Sequence, residues 1–463
     1  MSIKERVFKK ESLDRYLAED GKFNKTLSAK DLISMGIGAV IGTGIFILPG
    51  TVAALHSGPA ITISFVIAAL VCSTAAMCYA EFSSALPIAG SAYSFGNVVF
   101  GEIVGWFLGW ALILEYMLSV AAVSTGFSAY FNSLLAGFGI HLPKAITGPF
   151  DPANGTFINL PAVLIVLFIA YVLSRGLRTS MTINSIVVVI KIAIIILFLL
   201  VGMFYVKPAN WDPFMPFGTK GVLVGAAQVF FAYLGFDVVA SSAAEVKEPA
   251  KNMPRGIIGT LAICTLLYIL VSIVLTGMIS YTKLNVADPV SFALYAVKQN
   301  WVAGIISVSA LAGMFTMMVT MVYSSSRLIY SIGRDGLLPK FLGQINEKTK
   351  TPEKSMLIVT VIIALTGGFF SLNQLTNLVN IGTLLAFMFV SLGVLPLRKR
   401  KDIPNKDGFK VPFYPVLPII SAILCAVMLA QLSLETWTAA FVWFAVGMVI
   451  YFSYGIKHSK INE

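Results

Sequence analysis

Apolar residues in this chain come in long unbroken runs, not in the alternating or one-sided patterns of water-soluble elements. Twelve runs stand out, at about 32–55, 58–82, 101–133, 157–173, 181–206, 218–243, 256–280, 301–330, 355–371, 378–396, 414–433 and 437–456. Each covers, or nearly covers, the roughly 30 Å hydrocarbon core of a bilayer when coiled as a helix. Barrel strands alternate apolar and polar positions, so runs of this length exclude a β-barrel. In lipid the backbone must satisfy its hydrogen bonds within the segment, so the runs predict an all-α polytopic membrane protein with twelve transmembrane helices. Between runs, residues 83–100 are small, polar and uncharged, which suits a re-entrant or interfacial element, and residues 284–300 carry a short helical pattern.

Composition agrees. Of 463 residues, 57% are hydrophobic and 12% charged, against about 25% charged in soluble domains. The net charge of +11 gains meaning from its placement. With residues at span ends assigned to the side they adjoin, twenty-seven of the 33 Lys and Arg residues fall on one side of the twelve runs, five on the other, and Lys191 deep inside a run. The positive-inside rule then puts both termini in the cytoplasm, with anionic lipid rather than nucleic acid beside the basic segments. The N-terminal segment has no apolar core for a signal peptide, so the first span is expected to direct its own insertion. The four cysteines lie in apolar runs with no CxxC pair, and the sequence has no HExxH, P-loop or GxSxG motif. Neither a metal site, a cofactor, a catalytic set nor ATP-driven transport is indicated, and the chain is not expected to be an enzyme.

Two spans carry residues that a continuous helix disfavours. Span 1 holds Gly36, Gly38, Gly42 and Gly44, and each glycine within a helix costs about 1 kcal/mol relative to alanine. A dinucleotide fingerprint needs a preceding strand, which a membrane span cannot supply. Gly38 and Gly42 suit a helix-packing notch. They also suit an unwound segment at Gly42-Thr43-Gly44, whose free N–H groups and half-helix dipole face a small anion. Span 6 places Gly235 and Asp237 in Ala232-Tyr-Leu-Gly-Phe-Asp237 at mid-membrane depth. Two interrupted spans, five apart, point to an inverted repeat with a central binding site.

Three ionisable residues lie deep within spans. Lys191 sits roughly 13 Å deep in span 5, where a charge costs at least about 2.5–3.5 kcal/mol. Burial favours the neutral amine and so makes proton release available, although a static structural cation also fits. Glu115 in span 3 suits a proton relay, a counter-charge to Lys191, attraction of a substrate amine, or a structural hydrogen bond. Asp237 suits either a substrate side chain or the cap of the second half-helix. Glu81 and Glu102, near span ends, read as interfacial. Glu245 and Glu248 read as partners of Lys247, Lys251 or Arg255 in an inner latch. Met314, Met317 and Met321 share one face of span 8, as either an adaptable pocket wall or helix packing. Met321 is the first choice for the pocket.

Four stretches together resemble a known family. They are Gly36-Ile-Gly-Ala-Val-Ile-Gly-Thr-Gly-Ile-Phe46, Gly58-Pro-Ala-Ile through Tyr93, Glu245 to Ile257, and Arg327 to Pro339. Along nearly its whole length the chain resembles the amino acid–polyamine–organocation (APC) transporter superfamily, and within it the cationic amino acid transporter branch. The resemblance implies a five-plus-five inverted repeat with discontinuous helices 1 and 6. The expected layout is an N-terminal segment 1–30, repeats 31–206 and 207–397, a basic cytoplasmic linker 398–413, and spans 11–12 with a tail over 414–463. It also implies a substrate site of Val40, Ile41, Gly42, Thr43 and Gly44 against Phe231, Ala232 and Leu234. There the Thr43 and Gly44 amides take the carboxylate, and the carbonyls of Val40, Phe231, Ala232 and Leu234 take the α-amine. Asp237 and Met321 lie toward the side chain, and Phe231 is a candidate outer gate. In proton-coupled relatives a lysine on span 5 stands where sodium-coupled ones hold an ion, which makes Lys191 the expected coupling residue, with Glu115 beside it in the proton path. The function expected is import of L-amino acids across the plasma membrane by proton symport and alternating access; an exchanger without proton coupling is the alternative. A channel lacks support, because paired broken helices suit a carrier. A small accessory subunit is compatible with the sequence but nothing indicates one.

Overall fold

The computed structural model describes residues 7–13, 15–16, 25–88, 90–174, 181–346, 351–400, 402–403 and 408–460. Parts of the N-terminal segment 1–30 and of the linker 398–413 lie outside the described residues. Within them the chain is helical, with isolated bridges and no strand. The helices used below are α1 (Ala29–Val40), α2 (Thr43–Phe46), α3 (Leu48–Val52), α4 (Ile61–Ala85), α5 (Ser91–Val99), α6 (Glu102–Gly137), α7 (Leu160–Ser174) and α8 (Met181–Met203). They continue with α9 (Gly218–Val229), α10 (Phe236–Ser241), α11 (Pro249–Met278), α12 (Pro289–Ala296), α13 (Asn300–Arg334), α14 (Glu353–Phe369), α15 (Leu372–Leu397), α16 (Val416–Leu429) and α17 (Leu434–Ile450). Eight helical segments among the described residues are long and apolar enough to cross a membrane, and α7 and α16 are shorter apolar helices.

Burial sorts these helices into an inner and an outer set. α6 is buried along most of its length and packs on α13 and α15, while α4 packs on α11. The outer faces of α7, α8 and α17 expose Leu164, Phe168, Val189, Phe441 and Val449. In water such continuous apolar faces are a liability, whereas against lipid tails they are the required surface. α17 is fixed to α6 by a reciprocal pair: Trp110 Nε1 donates to the Trp443 carbonyl (2.9 Å) and Trp443 Nε1 to the Trp110 carbonyl (3.2 Å).

Local sequence explains the ends. Asp31 accepts from the Ser28 N–H at 2.9 Å, one arm of a capping box that starts α1. Ser371 and Gln374 do the same for α15. The connection at 83–100 is more ordered than its polarity suggests: residues 83–85 extend α4, and α5 is buried throughout. The interfacial reading of Glu81 and Glu102 is corrected, since both are buried. Glu81 receives both arms of the Arg398 guanidinium (2.7 and 2.8 Å) and the Val411 N–H. Glu102 accepts from the Tyr451 hydroxyl (2.8 Å) and from Ser459. Each carboxylate is dehydrated because a partner arrives from far along the chain, which single-sequence reading does not show.

Candidate functional site

Both interrupted helices are broken where glycine predicts. α1 stops at Val40, the chain turns through Ile41 and Gly42, and helix resumes at Thr43. α9 stops at Val229, a single 3₁₀ turn covers Phe230–Tyr233, Leu234 is extended, and α10 starts after Gly235. Gly235 has φ +114°, a conformation costly for any residue with a side chain, and a Cβ there would lie 3.0 Å from the Ala39 carbonyl group. The two breaks touch: a Cβ added to Gly44 would stand 2.7 Å from Ala232 Cα. Val40, Ile41, Gly42, Thr43, Gly44, Phe231, Ala232 and Leu234 are therefore one buried cluster. Thr43 and Gly44 open α2, so their N–H groups have no acceptor within that helix. The Thr43 hydroxyl is buried without a hydrogen-bond partner.

The carbonyl side is more occupied than expected. The Tyr268 hydroxyl, from α11, lies 2.6 Å from the Ala232 carbonyl and 3.2 Å from that of Val40. Tyr268 thus ties the two breaks together. Its ring packs on Phe65 and Tyr233, with centroids 5.5 and 5.2 Å away. The Phe231 carbonyl accepts the Leu234 N–H at 3.3 Å. Each carbonyl keeps a second lone pair, so an ammonium can still be received there. Tyr268 escaped the sequence reading, although a phenol within an apolar run was a usable signal, because a buried hydroxyl seeks a partner. Tyr268→Phe removes the hydroxyl that bridges the breaks. We expect about tenfold weaker substrate uptake at low concentration, with normal amounts of folded protein by size-exclusion chromatography; unchanged uptake would reduce Tyr268 to a packing residue.

Lys191 reaches the same break from α8. It is 2% exposed, and its Nζ donates to the carbonyls of Gly38 (3.1 Å) and Ile41 (3.0 Å). These are carbonyls that the end of α1 leaves without helical partners, so an ammonium replaces the missing N–H groups. Gly313 of α13 makes room for the lysine stem, since a Cβ there would meet Lys191 Cε at 3.0 Å.

Glu115 and Asp237 form a second centre. Thr383 of α15 stands beside Glu115, whose oxygens have no partner in good hydrogen-bond geometry, and among the described residues Glu115 makes no ion pair with Lys191. Asp237 lies within the electrostatic reach of Glu115. Asp237 is fully buried in the first turn of α10, with Oδ2 accepting from the Tyr116 hydroxyl at 2.7 Å and Oδ1 unpartnered. Met314, Met317 and Met321 are all buried, and Met317, one turn before Met321, is the methionine at the break: its Sδ fills the space over Gly42.

A cavity lies near the cluster on one side. Its volume is about 520 Å³, and it is lined by Ile47, Thr51, Thr125, Gly126, His141 and Phe370, among others. Gly126 on its floor packs directly on Thr43. The opposite face is shut. Thr26 and Leu27 N–H donate to the Glu245 carbonyl (2.9 and 3.0 Å), Lys247 N–H donates to Leu27, and Arg327 approaches Glu245 at 3.9 Å. Glu248 pairs with Lys251 at 3.1 Å as the sequence suggests, whereas the ion pair of Glu245 is made with Arg327 on α13.

Comparison with known proteins identifies the family. The amino acid permease family matches residues 27–454. The chain belongs to the amino acid permease family. The permease is 51% identical over 459 residues to the methylthioribose transporter of Bacillus subtilis (strain 168), with 99% of both chains covered. It is 46% identical to the branched-chain amino acid permease BcaP of the same organism, over the full length of both. A vacuolar cationic amino acid transporter of Arabidopsis thaliana is 36% identical over 81% of this chain and 63% of its own. The resemblance to the APC superfamily and its cationic branch is borne out, and the permease is a multi-pass membrane transporter rather than an enzyme.

Proposed function

We propose that the permease imports L-amino acids with small or branched apolar side chains together with a proton. The observation that carries this reading is the Lys191 ammonium on the Gly38 and Ile41 carbonyls. A protonated Lys191 fixes the end of α1 against α8. When it gives up its proton, the charge-assisted bonds weaken and the α1 break is free to move, which links proton transfer to alternating access. The substrate carboxylate lies on the Thr43 and Gly44 amides, and its ammonium on the second lone pairs of the Val40, Phe231, Ala232 and Leu234 carbonyls. The buried Met314, Met317 and Met321 give an apolar, deformable wall, with Met321 and Asp237 toward the side chain. Glu115 serves the proton path, and Phe231 closes the outer gate. The site is reached from outside through the cavity above Gly126.

This reading carries the coarser architecture with it. Twelve spans cross the plasma membrane, repeats 31–206 and 207–397 are inverted relatives, and both termini are cytoplasmic. The cationic branch does not fix the substrate, and the relative named for branched-chain amino acids agrees with an apolar wall. The test is uptake into proteoliposomes of L-isoleucine, L-alanine, L-arginine and methylthioribose under a proton gradient, a sodium gradient, or neither. Proton-driven accumulation of isoleucine or alanine is expected. Uptake that needs internal amino acid and ignores both gradients would replace symport by exchange. Accumulation of methylthioribose alone would overturn the amino acid substrate.

A further inference from the structure

We propose that Tyr130 is the positioning residue for the substrate carboxylate: its hydroxyl holds the far end of α2 to α6, and so places the Thr43 and Gly44 amides at the near end. α2 cannot keep its own place. It has four residues, Thr43–Phe46, and Gly42 before it is far from helical, with φ −147° and ψ −133°. The backbone bonds along it run from the Ile45 N–H to the Gly42 carbonyl (3.4 Å) and from the Ile47 N–H to the Thr43 carbonyl (2.9 Å). The ladder is interrupted again beyond Phe46. Three residues on, Pro49 has no N–H. Four residues on, the Gly50 N–H turns to the Ile47 carbonyl at 3.2 Å. A buried carbonyl needs a donor from elsewhere, and Tyr130 supplies it: its hydroxyl donates to the Phe46 carbonyl at 3.0 Å. Both residues are buried, and their rings meet edge to face with centroids 6.1 Å apart. Among the described residues no other side chain donates to the α2 backbone.

α6 meets α2 at both ends. One turn before Tyr130, Gly126 lies against the start of α2, where a Cβ would collide with Thr43 Cγ2 and stand 2.9 Å from Ile47 Cδ1. Tyr130 then fixes the other end. Its hydroxyl is itself enclosed. The Val290 backbone and the Ser291 side chain of α12 stand beside it. Ser291 pairs with Ser307 of α13 at 2.9 Å. Ser133, one turn further along α6, donates to Asp288 just before α12 at 2.6 Å. The donor is thus held by α12 and α13 while it holds α2. A four-residue helix packed at its start and bonded at its end moves as one body. Its length along the axis is only about 6 Å, so a shift at Phe46 is carried to the Thr43 and Gly44 amides. Tyr130 touches no substrate in this arrangement; it acts through α2.

The inference rests on the amino acid carboxylate being received at α2, and the experiment separates the two. Counterflow of L-isoleucine and of L-alanine into proteoliposomes is measured over a range of concentrations. The full-length wild type is compared with Tyr130→Phe, Gly126→Ala and Tyr451→Phe. Tyr451→Phe is the control, because it too removes a buried hydroxyl, one that donates at 2.8 Å to Glu102 at the other end of α6. Tyr130→Phe is expected to raise KM about tenfold and to leave the maximal rate within about twofold. Gly126→Ala, which pushes the near end of α2 off α6, should raise KM as well. Tyr451→Phe should leave KM unchanged. KM is read on the protein that folds, so a lower yield does not hide the result. An unchanged KM in Tyr130→Phe or in Gly126→Ala overturns the proposal, and so does an equal rise in Tyr451→Phe. A fall in maximal rate alone makes Tyr130 a packing residue and overturns it too. The underlying reading is decided in the wild type: if it carries neither amino acid, that reading fails and the proposal falls with it.

Discussion

Proton-driven accumulation of substrate should fall about a hundredfold in Lys191→Ala, toward the upper end of the coupling expected between two linked sites. Counterflow of labelled against unlabelled substrate should persist. The split follows from what Lys191 touches. It donates to the Gly38 and Ile41 carbonyls and packs against Gly313, but has no hydrogen bond to the Thr43 and Gly44 groups proposed to receive the substrate. Removing it leaves the exchange half of the cycle in place and deletes the group that ties α1 to the proton. Lys191→Arg separates charge from proton release. A guanidinium keeps the charge and its donors but does not deprotonate in proteins. An arginine at this position should therefore also lose accumulation, while alanine and arginine differ in counterflow. Accumulation retained in Lys191→Ala, or driven by sodium in the wild type, would make Lys191 a structural cation and transfer the coupling to another group.

The glycine pattern made the two breaks readable in the sequence, because Gly42, Gly44 and Gly235 crowd two spans five apart, where a packing notch alone explains Gly42 but not the paired interruption. Lys191 was legible for a similar reason: a charge in hydrocarbon needs an explanation. What the chain alone did not disclose are contacts between distant segments. Tyr268 is one phenol among many aromatic residues until α11 places its hydroxyl between the Val40 and Ala232 carbonyls. Glu115 had several open roles, and only the fold, in which its neighbour Tyr116 bonds Asp237, put it within electrostatic reach of Asp237. Glu81 looked interfacial because its partner, Arg398, lies across the whole chain. The N-terminal residues dock through backbone groups of Lys9 and Glu11, which carry no sequence signature. Periodicity and composition report a residue's own cost in a medium, and they are silent on which far segment relieves it.

Alanine at three glycines should give a graded series set by what each new methyl group meets. At Gly44 it meets Ala232 Cα and Cβ, both at 2.7 Å. One of these is backbone, and it belongs to the other break, so the collision is relieved only by moving the two unwound segments apart. That shift displaces the α2 amides and the Ala232 carbonyl together, and a misplacement of about 1 Å at a binding constellation costs on the order of a hundredfold. Gly44→Ala should therefore lose about that much transport while still folding, as judged by its elution and thermal midpoint. At Gly42 the methyl meets only the Met317 sulfur, at 2.4 Å. A methionine end swings aside at small cost, so Gly42→Ala should lose about threefold to tenfold, and Gly42→Ala with Met317→Ala should recover part of it. At Gly304, on α13 away from the breaks, nothing lies within 4 Å. Gly304→Ala should transport normally and gain a few tenths of a kcal/mol to about 1 kcal/mol in stability from helix propensity. The order of the three separates contact between the breaks from a general intolerance of larger residues in these spans. If Gly42 and Gly44 behaved alike, or if Met317→Ala gave no relief, the close approach of Gly44 to Ala232 would not be what the substrate site depends on.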